Sequence, residues 1–129
     1  MNAYANEAAF SRALVLAMRR KGYFVQRIES AETGRGIPDI YCIIAGHSVW
    51  IELKRIHGNI QRFSTIPWRP GQQAWLHTVC ARKQIVMTLA CFDNGILQIQ
   101  HNKLYCDNIV DTSITEDCCT YKDIKEVLQ

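Results

Sequence analysis

Gly36-Ile37-Pro38-Asp39-Ile40-Tyr41-Cys42-Ile43-Ile44-Ala45-Gly46-His47-Ser48-Val49-Trp50-Ile51-Glu52-Leu53-Lys54 is the stretch that decides the fold of this chain. Two apolar runs rich in branched and aromatic residues, Ile40 to Ala45 and Val49 to Leu53, are separated by Gly46-His47 at turn spacing, which predicts a β-hairpin. With Gly46 and His47 as the turn, antiparallel pairing sets Ala45 opposite Ser48, Tyr41 opposite Glu52 and Asp39 opposite Lys54. Opposed residues share a face and side chains alternate with period two, so Asp39, Glu52 and Lys54 converge at the open end of the hairpin. A slip of one residue would scatter them. Ions presented among apolar neighbours cost roughly several kcal/mol each unless paired or holding a metal. A salt bridge of Lys54 to Asp39 or Glu52 meets that requirement, and so does a bound cation.

The wider pattern is Arg35-Gly36, then Pro38-Asp39, twelve intervening residues, and Glu52-Leu53-Lys54. It resembles the PD-(D/E)XK nuclease superfamily, and more narrowly its small virus-type replication-repair (VRR-NUC) members and the archaeal-type Holliday junction resolvases. The resemblance spans residues 7 to 90. It implies an α/β fold with a restriction-endonuclease-like mixed β-sheet flanked by helices. It also implies a Mg²⁺- or Mn²⁺-dependent endodeoxyribonuclease acting on duplex or branched DNA. Carried over by position, Asp39 and Glu52 would be metal ligands, Leu53 would offer its carbonyl, and Lys54 would serve the attacking water. Carboxylate, carbonyl and water oxygens are what a hard cation such as Mg²⁺ takes.

Outward from the hairpin, residues 3 to 21 read as a helix, with Phe10, Ala13, Leu14, Ala17 and Met18 on one stripe and Gly22 to end it. Glu7 falls on that apolar stripe. Its place in a first turn also suits the helix dipole, and the resemblance implies a glutamate of the first helix at the metal site, for which Glu7 is the match. Tyr23 to Ile28 reads as a strand, and Glu29 to Gly36 as a polar loop carrying Arg35, either a phosphate contact or a solvated arginine. Residues 55 to 70 interleave Arg55, His57, Arg62 and Arg69 with Phe63 and Trp68, the composition of a nucleic-acid-facing loop and of a mobile flap.

Gln72 to Arg82 reads as a second helix with Trp75, Leu76 and Val79 on one side. The run Arg69-Pro70-Gly71-Gln72-Gln73-Ala74-Trp75 resembles the segment of the virus-type nucleases in which a glutamine at the helix start positions the lysine and the water. Spacing to the tryptophan favours Gln72, with Gln73 as the other candidate. Ile85 to Phe92 and Ile96 to Gln100 read as strands joined by Asp93-Asn94-Gly95, and Tyr121 to Leu128 as a terminal helix with Thr120 and Asp123 at capping-box spacing.

At 129 residues, 48% of them hydrophobic, the chain suits a single domain over 1–129, with a core over 3–100 and an acidic extension over 101–129. No apolar run reaches the ~18 residues of a membrane span and no signal-peptide pattern opens the chain, so a cytoplasmic protein of viral or prokaryotic type is expected. Six cysteines, with Cys42, Cys80 and Cys91 inside apolar patterns, read as reduced thiols. A zinc site from His101, Cys106, Cys118 and Cys119 is the alternative use, without the usual CxxC spacing.

Charge is uneven. Residues 1–92 carry 12 Lys and Arg against 5 Asp and Glu, a net +7, and residues 93–129 carry 3 against 7, a net −4, which together give the +3 of the whole. That asymmetry suits a polyanion on one side of the molecule. A homodimer is expected, since cutting both strands of a duplex or junction in concert needs two sites related by symmetry. The acidic tail and the apolar terminal helix are candidates for its interface. The rival reading is a catalytically silent module of the same fold that binds nucleic acid or a partner protein. No P-loop, dinucleotide fingerprint or nucleophile elbow is present.

Overall fold

Helix α1 (Glu7–Arg20) buries Phe10, Leu14 and Met18 of the predicted stripe and also Val15, while Ala13 and Ala17 of that stripe are half-buried. Asn6 caps it, its side chain accepting from Ala9 N at 2.8 Å, and Gly22 closes it in the left-handed region at φ 85°. There follow β1 (Phe24–Arg27), β2 (Ile40–Ile44), β3 (His47–Arg55), β4 (Phe63–Thr65), α2 (Gln72–Cys80), β5 (Ile85–Phe92), β6 (Gly95–Gln100), β7 (Ile109–Asp111), β8 (Cys118–Tyr121) and α3 (Ile124–Val127). This computed structural model describes residues 4–28, 37–101, 108–114 and 116–129. The predicted loop with Arg35 lies outside them, as does Cys106.

Six strands form one mixed sheet in the order β1-β2-β3-β5-β6-β8, and β4 and β7 make a separate pair. β3 and β5 run parallel, joined by a crossover that contains β4 and α2, while the other neighbours in the sheet pair antiparallel. Val49, Ile51 and Leu53 of β3 and Leu89 and Cys91 of β5 pack with α1 and Ile124 in one core cluster. Residues alternating with them face the other way, where Trp50 meets Trp75 of α2. A central parallel pair covered on both faces reads as near-continuous apolar sequence, which is how β5 reads. A mixed sheet flanked by helices is the architecture that the sequence predicts.

Three local expectations are corrected. The hairpin turns at Ala45-Gly46, one residue earlier than expected, and its register sets Ile44 opposite His47, Tyr41 opposite Trp50 and Ile40 opposite Ile51. Both turn residues have positive φ, 50° at Ala45 and 81° at Gly46, the conformation of a type I′ turn whose twist matches the strands. The segment between β3 and α2 is tied down rather than a free flap. Its strand β4 pairs with β7, and Ile66 N donates to Asn108 O at 2.6 Å. Finally, Tyr121 belongs to β8, because pairing with β6 outcompetes the helix, and α3 starts only after Asp123, whose side chain accepts from Glu126 N. The apolar side of α3 packs inward with Ile124 buried, so it offers no interface patch.

Among the described residues, no helix is long and apolar enough to cross a membrane. The described cysteines, Cys42, Cys80, Cys91, Cys118 and Cys119, are thiols outside any disulfide.

Candidate active site

The shifted register moves Asp39 by two residues relative to β3, and a shift of two preserves the face. One step beyond the Ile40–Ile51 pair, Asp39 lies across from Glu52 rather than Lys54. Its Oδ2 accepts from Leu53 N at 2.8 Å, which fixes the carboxylate at the end of the β2–β3 ladder. Glu7 arrives from the first turn of α1. Glu7, Asp39 and Glu52 each present a carboxylate oxygen, and these atoms all lie within 4.8 Å of one another.

Glu52 and Lys54 are buried, at 1% and 6% exposure, on the face of β3 that α2 covers. Gln72, the first residue of α2 and also buried, joins them: its Oε1 accepts from Lys54 Nζ at 2.8 Å and from Arg69 N at 2.7 Å, while its Nε2 donates to Glu52 Oε1 at 2.8 Å. An amide with one acceptor end and one donor end satisfies an ammonium and a carboxylate at once. Of the two glutamines, Gln72 is the one that makes these contacts. Lys54 Nζ also lies 3.8 Å from Glu52 Oε1, and the half-exposed guanidinium of Arg69 lies 3.7 Å from it.

Burial dominates the titration of this cluster. Glu52 is pushed up to about 8, first by desolvation and then by the Asp39 carboxylate, with Lys54 and Arg69 pulling the other way. Desolvation likewise raises Glu7, again with Asp39 adding to it, and lowers Lys54 against the pull of Glu52. Glu7 Oε1 is buried without a hydrogen-bond partner, the one such side-chain atom among the described residues. Three crowded carboxylates, one with an orphaned buried oxygen, fit a divalent cation by charge and by donor chemistry.

The arginines differ in what they touch. Arg69 and Arg62 expose their side chains, at 59% and 72%. Arg55 is committed within the protein, bonding the carbonyls of Tyr4, Ile56 and Cys91 and pairing with Asp93 Oδ1 at 2.6 Å. Two features escaped the sequence reading. Arg27 lines a cleft of about 170 Å³ with Glu7, Ser11 and Asp39, placed there by the β1–β2 register. Behind Lys54 stands Trp68, its ring 5.9 Å from Nζ and 5.7 Å from the ring of His101, whose Nε2 is 2.7 Å from Thr88 Oγ1. Burial holds His101 down at about 4. Among the described residues, His101, Cys118 and Cys119 do not form a group of metal ligands, and Cys106, the fourth residue of the zinc alternative, lies outside them.

No protein-family model matches the chain, and no curated protein matches it by sequence. Among solved structures, the chain is similar to Hjc of Archaeoglobus fulgidus, a Holliday junction resolvase from an archaeal hyperthermophile, with a TM-score of 0.58 at 14% identity over 84% of this chain and 91% of that one. At that identity the likeness shows the fold: an α/β mixed sheet flanked by helices, shared with a junction resolvase.

Proposed function

We propose that this protein is a metal-dependent endonuclease of the PD-(D/E)XK type, hydrolysing DNA phosphodiester bonds and acting on branched DNA, in the manner of the small VRR-NUC nucleases and junction resolvases that its motif resembles. The observation that carries the reading is the meeting of three carboxylates within 4.8 Å beside an ammonium tied to one of them through Gln72. Asp39, Glu52 and Glu7, with the Leu53 carbonyl, would hold Mg²⁺ or Mn²⁺. A divalent ion there supplies Lewis acidity at the phosphoryl oxygens and lowers the pKa of water. Lys54 donates hydrogen bonds to the attacking water and to charge developing on the phosphate, and Gln72 holds the ammonium in place. Arg69, whose guanidinium reaches Glu52 from the surface, and the exposed Arg62 grip flanking phosphates, a role we also assign to Arg35. The Arg55 guanidinium, already held by protein groups, fixes the loop instead.

The chain works as one domain over 1–129 and as a homodimer. A protein with the fold of a junction resolvase has a use for two symmetric sites, and the acidic segment keeps Ile109 and Ile114 exposed for an interface.

The test pairs calorimetry with cleavage. Mn²⁺ should bind the wild type and not Asp39→Asn, and branched DNA should be cut only with Mg²⁺ or Mn²⁺ present. Unchanged Mn²⁺ binding in Asp39→Asn would remove this site from consideration. Normal binding of DNA without cleavage under any divalent ion would favour the silent binding module.

A further inference from the structure

The face of the sheet that carries Asp39, Glu52 and Lys54 also carries a row of touching aromatic rings. Register and alternation settle this. Tyr41 pairs with Trp50 across β2–β3, and each lies two residues along its strand from Asp39 or Glu52. On the edge strand, Gln26 pairs with Tyr41 and Phe24 with Ile43, so Phe24 shares the face. The rings of Phe24 and Tyr41 are 6.5 Å apart, those of Tyr41 and Trp50 4.9 Å, and those of Trp50 and Trp75 5.3 Å. Trp75 follows Gln72 by three residues on α2, which puts both on one side of that helix. The aromatic row therefore runs beside the row Asp39, Glu52, Gln72, displaced by two residues along the strands, about 7 Å at the rise of a β-strand.

The row is open at its outer end. Phe24 is 55% exposed, Ile43 39%, and Tyr41, Trp50 and Trp75 are half-buried. Neither the salt-bridge chemistry of the site nor the core explains an exposed phenylalanine on an edge strand. Among the described residues, the face holds no carboxylate beyond Asp39 and Glu52, and its neighbours Gln26 and Ser48 are uncharged. The half of the chain that supplies it, residues 1–92, carries the net +7.

We infer that this row is a stacking platform for unpaired nucleotides of the DNA strand whose phosphate enters the site, so that the preferred substrate has a single-stranded segment beside the scissile bond. The inference rests on the nuclease reading and names its substrate class. Every base offers a π-face to an aromatic side chain once it has left its own stack, whereas a continuous duplex hides those faces. A strand with one phosphate at the carboxylates would lay adjacent bases on Trp50, Tyr41 and Phe24 in turn. A second copy of this chain is the competing occupant of an exposed aromatic patch, and the same experiment decides against one of them.

The experiment titrates the metal-free full chain, in EDTA, with a twelve-nucleotide oligo-dT and with a blunt duplex of equal length, following tryptophan fluorescence and anisotropy. Oligo-dT is expected to quench the tryptophans and to bind at least about tenfold more tightly than the duplex. Phe24→Ala with Tyr41→Ala should lose about tenfold or more of that affinity, the scale of stacking one or two bases. Phe24→Ala alone, at an exposed position, should melt with the wild type and keep part of the effect. Equal affinity for both probes, an unquenched signal, or unchanged oligo-dT binding in the folded double variant would overturn the platform. So would a concentration-dependent dimer in light scattering that Phe24→Ala converts to monomer without altering oligo-dT affinity. Cleavage of branched DNA with Mg²⁺ is assayed separately: a chain that stacks oligo-dT but cuts nothing retains the platform and loses the nuclease reading, and a chain that cuts but fails these binding tests does the reverse.

Discussion

At Lys54 the two uses of a buried ammonium part company. If Lys54 is a structural partner of Glu52, truncation strands a buried carboxylate and the fold suffers. If it acts on the water, the fold survives, because Glu52 Oε1 still receives the Gln72 amide. Lys54→Ala is expected to melt within a few degrees of the wild type and to bind DNA normally, with cleavage slower by about a hundredfold or more. Calorimetric melting and single-turnover rates check this, and an unfolded variant would return Lys54 to the ion-pair role. Glu52 makes a second prediction. Its folded pKa of about 8 stands above the 4.5 of a free glutamate, so the folded chain holds a proton that the unfolded chain has released between those values. The stabilisation this brings is full below about 4.5 and is lost as pH rises through 8; buried His101, held down at about 4 from 6.5, offsets the loss up to pH 6.5, so the metal-free protein should grow less stable from pH 6.5 to pH 8.5. Urea titrations across that range should show the decline, and Glu52→Gln should flatten it; a wild-type profile already flat would contradict the burial that raises Glu52. The meeting of Asp39, Glu52 and Lys54 was legible because faces repeat every two residues, so an error of two in register cost nothing. Trp68, His101 and Arg27 were not legible: their approach depends on where a crossover and an edge strand land, and neither is written in local spacing.

Among the elements, the β2–β3 turn shows where sequence cues stop. Gly46 marks a turn but does not say whether it comes first or second, and the deciding conformation belongs to Ala45, a residue without turn preference held at φ 50°. Left-handed backbone costs an L-residue about 1 kcal/mol or more, a cost that asparagine largely avoids. Ala45→Asn, which completes an Asn-Gly pair, should therefore raise stability by about 0.5–1 kcal/mol without altering activity, measured by urea unfolding. A loss of stability there would mean that Asn cannot hold the turn that Ala45 forms. The long elements α1, β3 and β5 and the hairpin of β5 and β6 were readable because their apolar patterns run for several residues. The short strands β4, β7 and β8 were not, since three or four residues carry no period and their pairing joins segments far apart in sequence. β8 also took Tyr121 from the expected helix, tertiary pairing overriding local propensity.

For the molecule as a whole, the proposed dimer predicts twice the monomer mass in light scattering at micromolar concentration. Supercoiled plasmid should give linear product before nicked circles accumulate. A monomer that only nicks would end the dimer while leaving the nuclease reading intact. Charge asymmetry, legible from composition, set the acidic C-terminal stretch apart. The fold instead weaves it in, with β7 clamping β4 and β8 extending the sheet. The parallel pairing of β3 with β5 has a kinetic side as well. Lys54 pairs with Ala90 and Glu52 with Thr88, so the strand bearing the cluster gains its inner neighbour only when a loop of 36 residues closes. Contacts so distant in sequence form slowly and late, after local turns and helices. During synthesis β2 and β3 are made before β5 can pair with them, and Gln72, carried on the crossover, reaches Lys54 no sooner than that crossover docks. A nascent or partly unfolded chain thus holds Asp39 and Glu52 without a positioned ammonium, and the joined cluster of Glu52, Gln72 and Lys54 exists only once the crossover has docked.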